Sequence, residues 1–137
     1  MADVPRPLPN LKELDTGPFW AATKQHELRY QVCNSCGGVV FYTRRHCPHC
    51  MSFDLRWEQS KGEGAVYSYT IIRQIGHPVF RARQPYVVAL IDLDEGFRIM
   101  SHVIVDKEAV DSVSVGQRVR LDWEDYDEVS LPVFVPV

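Results

Sequence analysis

The chain has 137 residues, a length typical of one domain or of two small modules packed together. Apolar residues make up 45% of it and aromatic residues 11%, enough for a packed core. A net charge of −3 argues against a uniformly basic binder of duplex nucleic acid. No stretch approaches the ~20 apolar residues of a membrane span, and the start lacks the apolar region of a signal peptide. We therefore expect a cytoplasmic protein without membrane partners.

The charge is distributed unevenly along the chain. Residues 24–83 are net basic, whereas residues 84–137 are net acidic. A basic half beside an acidic half is compatible with phosphate binding on one side. It is equally compatible with an ordinary uneven surface.

The N-terminal part predicts short helices after an extended segment. Residues 1–9 contain three prolines and predict an extended arm. A short helical turn is predicted over 11–14, and a helix of about two turns over 19–26. Phe19 and Trp20, two large aromatic residues at the start of this helix, favour packing, with a partner interface as the other interpretation.

All four cysteines lie in two C-x-x-C hooks that are separated by ten residues. The backbone of such a hook turns back on itself, so that its two thiolates point into one hollow. Gly37 and Gly38, which follow the first hook, are expected to supply the positive φ of the turn. Two hooks form a tetrahedral S₄ site, the usual coordination of structural zinc. The predicted ligands are Cys33, Cys36, Cys47 and Cys50.

A rubredoxin-like iron site and a pair of disulfides are the alternatives to zinc. The cysteines of one hook lie too close for an easy bridge, and nothing in the sequence indicates an oxidising compartment. Four thiolates leave no open coordination position, so we expect a structural metal rather than a catalytic one. His46 and His49 sit beside the ligands, either as extra ligands or acid/base groups or, more commonly, as exposed residues.

Alternating apolar residues around the hooks predict a small ribbon of short strands. The three segments are 28–32, 39–42 and 53–57. A ribbon of this size is too small to bury a core of its own, so metal is expected to hold it.

The remaining sequence predicts five strands. A turn signal separates the second and third strands, a helical link over 107–113 joins the third and fourth, and Pro132 places the fifth at a sheet edge. The predicted strands are 65–75, 86–93, 97–105, 118–123 and 129–137. This order fits an OB-type barrel. The predicted fold is therefore mainly β, with an arm and helices over 1–27, a zinc ribbon over 28–60 and the barrel over 61–137.

An ordered set of short motifs resembles a known family. It comprises Phe19-Trp20, the two cysteine hooks, Trp57, Gly62-x-Gly64-x-Val66-Tyr67-Ser68-Tyr69-Thr70, His77-Pro78, Pro85-Tyr86-Val87-Val88-Ala89-Leu90 and Gly116. On these residues the chain resembles the OB-fold, acyl-CoA-associated proteins with an N-terminal rubredoxin-like zinc ribbon. The likeness extends from about residue 10 onward.

The resemblance implies a subunit that assists an enzyme. Such proteins accompany thiolase-superfamily enzymes, including acyl-CoA thiolases, HMG-CoA-type synthases and steroid side-chain aldolases, and related domains accompany hotdog-fold hydratases. The partner supplies the nucleophilic cysteine. The resemblance thus implies no activity alone, an α₂β₂-type complex, CoA thioester as ligand, and a role in forming the CoA or acyl channel.

The loop after the first barrel strand is the candidate contact for CoA. Arg73, Arg81 and Arg83 surround Phe80 in the sequence, and arginine forks match phosphate oxygens. A solvated loop is the other interpretation. Arg44 and Arg45 at the ribbon tip form a second, weaker candidate.

Two apolar segments are the candidate partner interface. They are the Phe19-Trp20 helix and an end expected to be exposed, Leu131 to Val135, with Val133 and Phe134 as its central residues.

Two further functions stay open from the residues alone. OB barrels and zinc ribbons also bind single-stranded nucleic acid, for which Tyr67, Tyr69 and Phe97 could stack bases, although the acidic half disfavours it. An iron-containing S₄ site would indicate electron transfer. The remaining histidines, His26, His77 and His102, are scattered, and a loop residue such as His77 is the more plausible ligand contact among them.

Overall fold

The computed structural model describes residues 5–137 and confirms a mainly β fold with a closed five-stranded barrel. Its helices are α1 (Gly17–Thr23), α2 (Pro78–Arg81) and a 3₁₀ helix (Lys107–Ser112). The strands are β1 (Arg29–Cys33), β2 (Val39–Val40), β3 (Leu55–Gln59), β4 (Glu63–Ile72), β5 (Tyr86–Leu93), β6 (Arg98–Val103), β7 (Arg118–Asp125) and β8 (Ser130–Pro136).

The described N-terminal segment has little regular structure before α1. Residues 5–10 form neither helix nor strand, residues 11–16 contain only turns, and the first four residues of the predicted arm lie outside the described part. Helix α1 begins two residues earlier than the predicted 19–26 and ends three residues earlier, with Pro18 in its first turn. Among the described residues, no helix is both long and apolar enough to cross a membrane.

The ribbon is a three-stranded antiparallel sheet in the order β2-β1-β3. Strand β1 pairs with β3 over five residues, from Arg29 opposite Gln59 to Cys33 opposite Leu55. Its pairing with β2 covers only two residues. Phe53 lies outside β3 and is 80% exposed, so the predicted third strand starts too early.

The barrel closes in the order β4-β5-β6-β8-β7. Strand β4 has ten residues; its first three pair with β7, and residues 64–72 pair with β5. A β-bulge between Val66 and Ser68 bends it, as barrel closure commonly requires. The second predicted barrel strand, 86–93, has the same bounds as the observed β5.

The prediction of β8 as an edge strand is wrong. Strand β8 pairs with β7 over seven residues and meets β6 in parallel at one residue pair, Val103 and Phe134. Pro132 precedes that meeting point, so its missing N–H interrupts no ladder to β6. Its carbonyl instead accepts a hydrogen bond from Ser101 Oγ at 2.8 Å.

Aromatic side chains join the ribbon to the barrel. Phe97, 6% exposed, lies immediately before β6, with its ring centre 4.8 Å from that of Tyr30 and 4.7 Å from that of Phe41. The Phe41 ring in turn contacts Phe19 of α1 at 5.7 Å. The apolar face of the ribbon and the N-terminal helix therefore share one core with the barrel.

Candidate functional site

The two hooks bring all four predicted metal ligands together. The Sγ atoms lie within 4.8 Å of one another, with 3.6 Å between Cys33 and Cys50 and 3.7 Å between Cys36 and Cys47. A tetrahedral ion with Zn–S bonds of about 2.3 Å requires Sγ separations of about 3.8 Å. The donor set and its spacing therefore fit zinc. The distances are far beyond the ~2.05 Å of a disulfide, and the thiols are free.

The two hooks have the same backbone geometry. In the first, Gly37 N–H donates to the Cys33 carbonyl at 2.9 Å, and in the second Met51 N–H donates to the Cys47 carbonyl at 2.9 Å. Gly37 has φ +74° and Met51 has φ +69°. Gly38 does not adopt positive φ, contrary to the prediction. A larger residue would not fit at this position, because its Cβ would lie 2.7 Å from the His49 ring.

Backbone amides polarise the thiolate cluster. Donation from the Cys36 and Ser35 amides outweighs burial and lowers the pKa of Cys33 to about 6. The Ser52 amide acts in the same sense on Cys50, but burial and the neighbouring thiols raise the pKa of Cys50 to about 12. Sulfur atoms this close cannot all ionise alone, and a divalent cation removes the conflict.

The histidines beside the hooks are not part of the sulfur cluster. His49 Nε2 is 3.2 Å from the Val39 carbonyl, which fixes its ring over the first hook. The His46 ring contacts Phe53 edge-on at 6.0 Å. His49 is exposed, as the more common interpretation expects, whereas His46 is half-buried.

The loop arginines separate into different environments. Arg73 forms an exposed ion pair with Asp111 at 2.7 Å, and Arg81 donates to the Gly76 carbonyl at 2.7 Å. Of these three arginines, only Arg83 approaches Phe80, with its guanidinium carbon 5.9 Å from the ring centre. The loop also contains α2, an element that the sequence did not predict, whose N-terminus is capped by His77 Nδ1.

The sequence did not predict a charged cluster around Arg83. Arg83 donates to both oxygens of Glu124, at 2.8 and 3.2 Å, and Arg6 donates to the same carboxylate at 3.1 Å. Tyr126 also donates to Glu124. Arg6 lies 5.1 Å from the Phe80 ring centre. Arg6 and Glu124 are 118 residues apart, so no local pattern could have joined them.

The arginines keep the carboxyl group of Glu124 ionised in this cluster. Burial favours the neutral carboxyl of Glu124, but hydrogen bonds from Arg83 and Tyr126 and the charge of Arg6 outweigh it and lower the pKa to about 2. Burial and the charge of Arg6 lower the pKa of nearby His102, which is therefore neutral. Its ring lies 5.1 Å from that of Tyr86.

The predicted interface residues divide between core and crevice. The segment Leu131 to Val135 was expected to be exposed, but Phe134 is fully buried, because barrel closure turns it inward. Phe19 of α1 is also buried, with 5% of its surface exposed. Trp20 is half-buried, and Val133, although largely buried, shares with Trp20 the lining of a crevice of about 330 Å³. Whether these residues contact a partner stays a prediction.

The aromatic residues named for base stacking also divide. Tyr67 and Tyr69 are exposed on β4, but the Arg98 guanidinium covers the Tyr67 ring at 3.5 Å. Phe97 is buried between ribbon and barrel and offers no stacking face.

His26, one of the scattered histidines, is exposed. Its ring stacks on that of Trp123 with 5.2 Å between the ring centres, and its Nε2 lies 2.6 Å from Asp125 Oδ1.

The fold and the sulfur cluster define a class of proteins in which a zinc ribbon precedes an OB-type barrel. Residues 20–56 match the family model described as the rubredoxin-like zinc ribbon domain of ChsH2, and residues 57–124 match the one for its C-terminal OB-fold domain. The chain belongs to this ChsH2 family, also called DUF35, which confirms the resemblance predicted from the sequence.

Curated relatives fall into two groups. A probable enoyl-CoA hydratase alpha subunit of Thermomonospora curvata is 39% identical over 132 residues, or 96% of this chain and 40% of that protein. A DUF35 domain-containing scaffold protein of Methanothermobacter thermautotrophicus is 34% identical over 72% of both chains. This chain thus spans about two fifths of the length of the hydratase subunit that it matches.

One solved structure is similar over nearly the whole fold. It is described as an Ltp2-ChsH2(DUF35) aldolase and superimposes with a TM-score of 0.82 at 38% identity. The match covers 96% of this chain and 98% of the solved one.

Proposed function

We propose that this chain is a non-catalytic subunit of a thiolase-superfamily acyl-CoA complex, either a thiolase or a retro-aldolase. In that complex it stabilises the enzyme subunit and helps to form the CoA and acyl channel. One observation supports this most directly: the similarity to the chain from an Ltp2-ChsH2(DUF35) aldolase, at 38% identity over 96% of this chain. We expect an α₂β₂-type assembly in the cytoplasm, because a dimeric enzyme offers two equivalent surfaces.

The use of the cysteines in this chain favours a structural role in the complex rather than catalysis. All four cysteines of the sequence converge on one S₄ cluster, so metal binding leaves no thiol nucleophile. The partner would therefore supply the nucleophile, and the bound metal would act by stabilising the ribbon. Zinc contributes no redox chemistry in such a site.

The CoA contact is a separate part of the proposal. Arg83 and Phe80 lie together, and Arg81 is in the same short helix as Phe80. We infer that Arg81 and Arg83 contact CoA phosphates and that Phe80 stacks on the adenine. Arg73 is the weakest member of the predicted set, since it pairs with Asp111 and does not approach Phe80, whereas Arg83, although paired with Glu124, lies beside Phe80.

The CoA contact can be tested by mutating both arginines. Replacing Arg81 and Arg83 by Ala should raise the KM of the complex for its CoA ester while assembly is retained. Arg73→Ala is the matched control and should change KM little. An unchanged KM in the double variant would place the CoA phosphates on the partner subunit.

A hydratase complex is the second candidate partner. It is favoured by the hydratase alpha subunit of Thermomonospora curvata, which matches 96% of this chain. In that case the chain would support a hotdog-fold hydratase instead of a thiolase-like enzyme, and the CoA thioester would remain the ligand.

Affinity purification distinguishes the two. A tagged copy purified from its native host at several salt concentrations should bring down a thiolase-like enzyme, identified by mass spectrometry. Recovery of a hotdog-fold protein would favour the second candidate. Recovery of the chain alone at every salt concentration would contradict both.

Two short measurements separate the proposal from the remaining alternatives. Metal analysis and an absorption spectrum of the native protein should show zinc and no colour, whereas iron thiolate is red and would favour electron transfer. Titration with single-stranded oligonucleotides at low salt should show no binding. Tight binding with a steep salt dependence would favour the nucleic-acid module instead.

A further inference from the structure

Strand β4 is paired on both sides only along its first part. Residues 63–65 pair with β7, and the Val66 N–H donates to the Gln117 carbonyl at 2.9 Å. From Tyr67 to Ile72, the backbone of β4 has no strand partner other than β5 within residues 5–137. Because the backbone groups of an antiparallel strand alternate between its two sides, this stretch directs every second N–H and C=O away from β5. Its free side is the open edge of β4.

The side chains along the open edge are exposed and uncharged. Residues 67–70 are four consecutive exposed residues, with Tyr67 51% and Tyr69 37% exposed. Since successive side chains of a strand point to opposite faces, both faces of β4 reach solvent here. The bulge lies before Ser68, and the pairing with β5 is regular from Ser68 to Ile72. A run of aromatic, β-branched and hydroxyl residues without charge or proline favours pairing with a further strand.

The free edges of three other strands are protected by length or by charge. Strand β2 has only two residues. The outer edge of β3 and the part of β7 beyond its pairing with β4 both contain charged residues, which are Arg56 and Glu58 in β3 and Asp122 and Glu124 in β7. Short length and charged side chains both oppose pairing with another chain.

The gap between β6 and β8 is protected by other groups. Within the described part of the chain these strands meet at one residue pair. The Tyr42 hydroxyl accepts the Met100 N–H at 2.9 Å, and Pro132 of β8 has no N–H to offer. Between Ser68 and Ile72 the open edge of β4 has no charge, no proline and no such cover. It is therefore the strand edge among residues 5–137 that is best suited to accept a further strand.

We propose that the open edge of β4 binds the same edge of a second copy of this chain, as an antiparallel pair about a two-fold axis. Identical strands fit each other in this way, because both copies present the same alternation of N–H and C=O groups. No like charges face each other across the axis, and Tyr69 and Ile71 supply the aromatic and β-branched side chains that stabilise cross-strand pairs. Two-fold pairing uses each open edge once, so assembly stops at a dimer.

This contact goes beyond the proposed function, because it joins two copies of the chain and needs no enzyme subunit. Six residues of strand span about 20 Å, and their pairing buries less than the ~1,600 Å² of a standard interface. We therefore expect a reversible dimer that forms at high protein concentration rather than a permanent one.

Sedimentation velocity of the purified, metal-loaded full chain tests the dimer, from low micromolar to several hundred micromolar protein. The wild type should shift from monomer to dimer as the concentration rises and should form nothing larger. A chain that stays monomeric throughout, or that grows beyond a dimer, would overturn the proposal. Loss of the co-purifying enzyme from a Thr70→Lys variant of a monomeric chain would then assign the open edge to that enzyme.

Pairs of charges locate the contact. Thr70→Lys brings two like charges close to the two-fold axis and should weaken dimerisation more than about tenfold, and Thr70→Glu should do the same. An equimolar mixture of the two variants brings opposite charges together and should form a heterodimer within about threefold of the wild-type affinity. Gln59→Lys adds the same charge at an exposed position of β3, so it is the control and should dimerise like the wild type.

Thermal melts check that the Thr70 variants fold. If either does not, the same two charges are placed at Ser68, which is also exposed. Folded single-charge variants that dimerise like the wild type, or a mixture of opposite charges that stays monomeric, would overturn the proposal. The enzyme subunit is absent from these measurements, so their failure leaves the proposed function unaffected.

Discussion

The ribbon and the barrel are stabilised by different means. The barrel has a closed ladder of five strands around fully buried side chains such as Ile91, Val119 and Phe134. The ribbon's own cluster consists of Val40 and two metal ligands, with Leu55 packed against it. Burial of apolar surface thus suffices for the barrel, whereas the hook end of the ribbon depends on its metal.

The contact between the two regions complicates that division. The ribbon face away from the hooks packs Tyr30 and Phe41 on Phe97 of the barrel. One end of the ribbon therefore depends on metal coordination and the other on the barrel core. The predictions below separate these contributions, beginning with the metal.

Removal of one ligand should have the largest effect. Cys47→Ser leaves three thiolates, and we expect metal affinity to fall more than about 100-fold, beyond the usual effect of outer-shell changes. Since metal binding contributes on the order of 10 kcal/mol to such folds, the hook end should unfold while the barrel persists. Limited proteolysis with mass spectrometry should show cleavage within 33–54 and protection of 63–136.

Ser35→Ala is the matched control for this ligand removal. Among residues 5–137 its exposed hydroxyl hydrogen-bonds to Ser52 alone, at 2.9 Å, so metal content and protease resistance should be retained. In the complex, Cys47→Ser should impair assembly. A variant complex that assembles normally and loses only its chemical step would contradict a structural role for the metal.

Truncation of the aromatic contact should have the next largest effect. Phe97→Ala removes a buried ring between ribbon and barrel, and we expect a loss of about 3–5 kcal/mol in the free energy of unfolding. Urea denaturation measures it. Phe53→Ala, at a position that is 80% exposed, should change stability by less than about 0.5 kcal/mol. Equal effects of the two substitutions would mean that the ribbon does not depend on this contact.

The charged cluster of the barrel should give a pH-dependent effect. The folded-state pKa of Glu124 is lowered from 4.5 to about 2, so its stabilising contribution is complete above pH 4.5 and is lost as the pH falls towards 2. After allowance for solvent screening, Glu124→Gln should cost about 2 kcal/mol at neutral pH.

The same substitution should flatten the loss of stability between pH 4.5 and 2. Urea unfolding across this range measures it, with the exposed residue change Glu128→Gln as control. Acid also releases the metal in both variants, so only their difference reports on Glu124. Parallel pH curves for Glu124→Gln and the control would contradict the assignment.

A substitution within the hooks should have the smallest effect and the opposite sign. Met51 adopts φ +69°, whereas the equivalent residue of the first hook is Gly37. Met51→Gly should stabilise the metal-bound protein by about 1 kcal/mol, because its 65% exposed side chain loses little packing. Gly37→Ala should destabilise it by a similar amount. Thermal melts compare them, and a lower melting temperature for Met51→Gly would show that its side chain is needed.

Local patterns were sufficient for the ribbon ligands and most strands. The spacing of Cys33, Cys36, Cys47 and Cys50 specified the metal cluster, because each hook is a single turn whose geometry depends on adjacent residues. Strand β5 was predicted at both ends, because Gln84-Pro85 and Asp94 interrupt its apolar run. Helix α2 was missed, since four residues are too few for a helical period.

Long-range contacts account for the predictions that failed. Phe134 lies in an apolar stretch that looks like an exposed end in sequence, but closure of β8 against β6 and β7 buries it. Arg73, Arg81 and Arg83 are close in sequence, yet Asp111 and Glu124, from distant elements, hold Arg73 and Arg83 apart.

The sequence by itself determined the sulfur ligands, the succession of strands along the chain and the family, because these depend on spacings within a few residues and on short ordered motifs. The tertiary structure alone decided which apolar side chains face inward, which carboxylate neutralises which arginine, and where the crevice lies. These features arise when barrel closure brings together strands that are distant along the chain, as it brings Arg6 to Glu124. Spacing within one segment contains no information about such encounters.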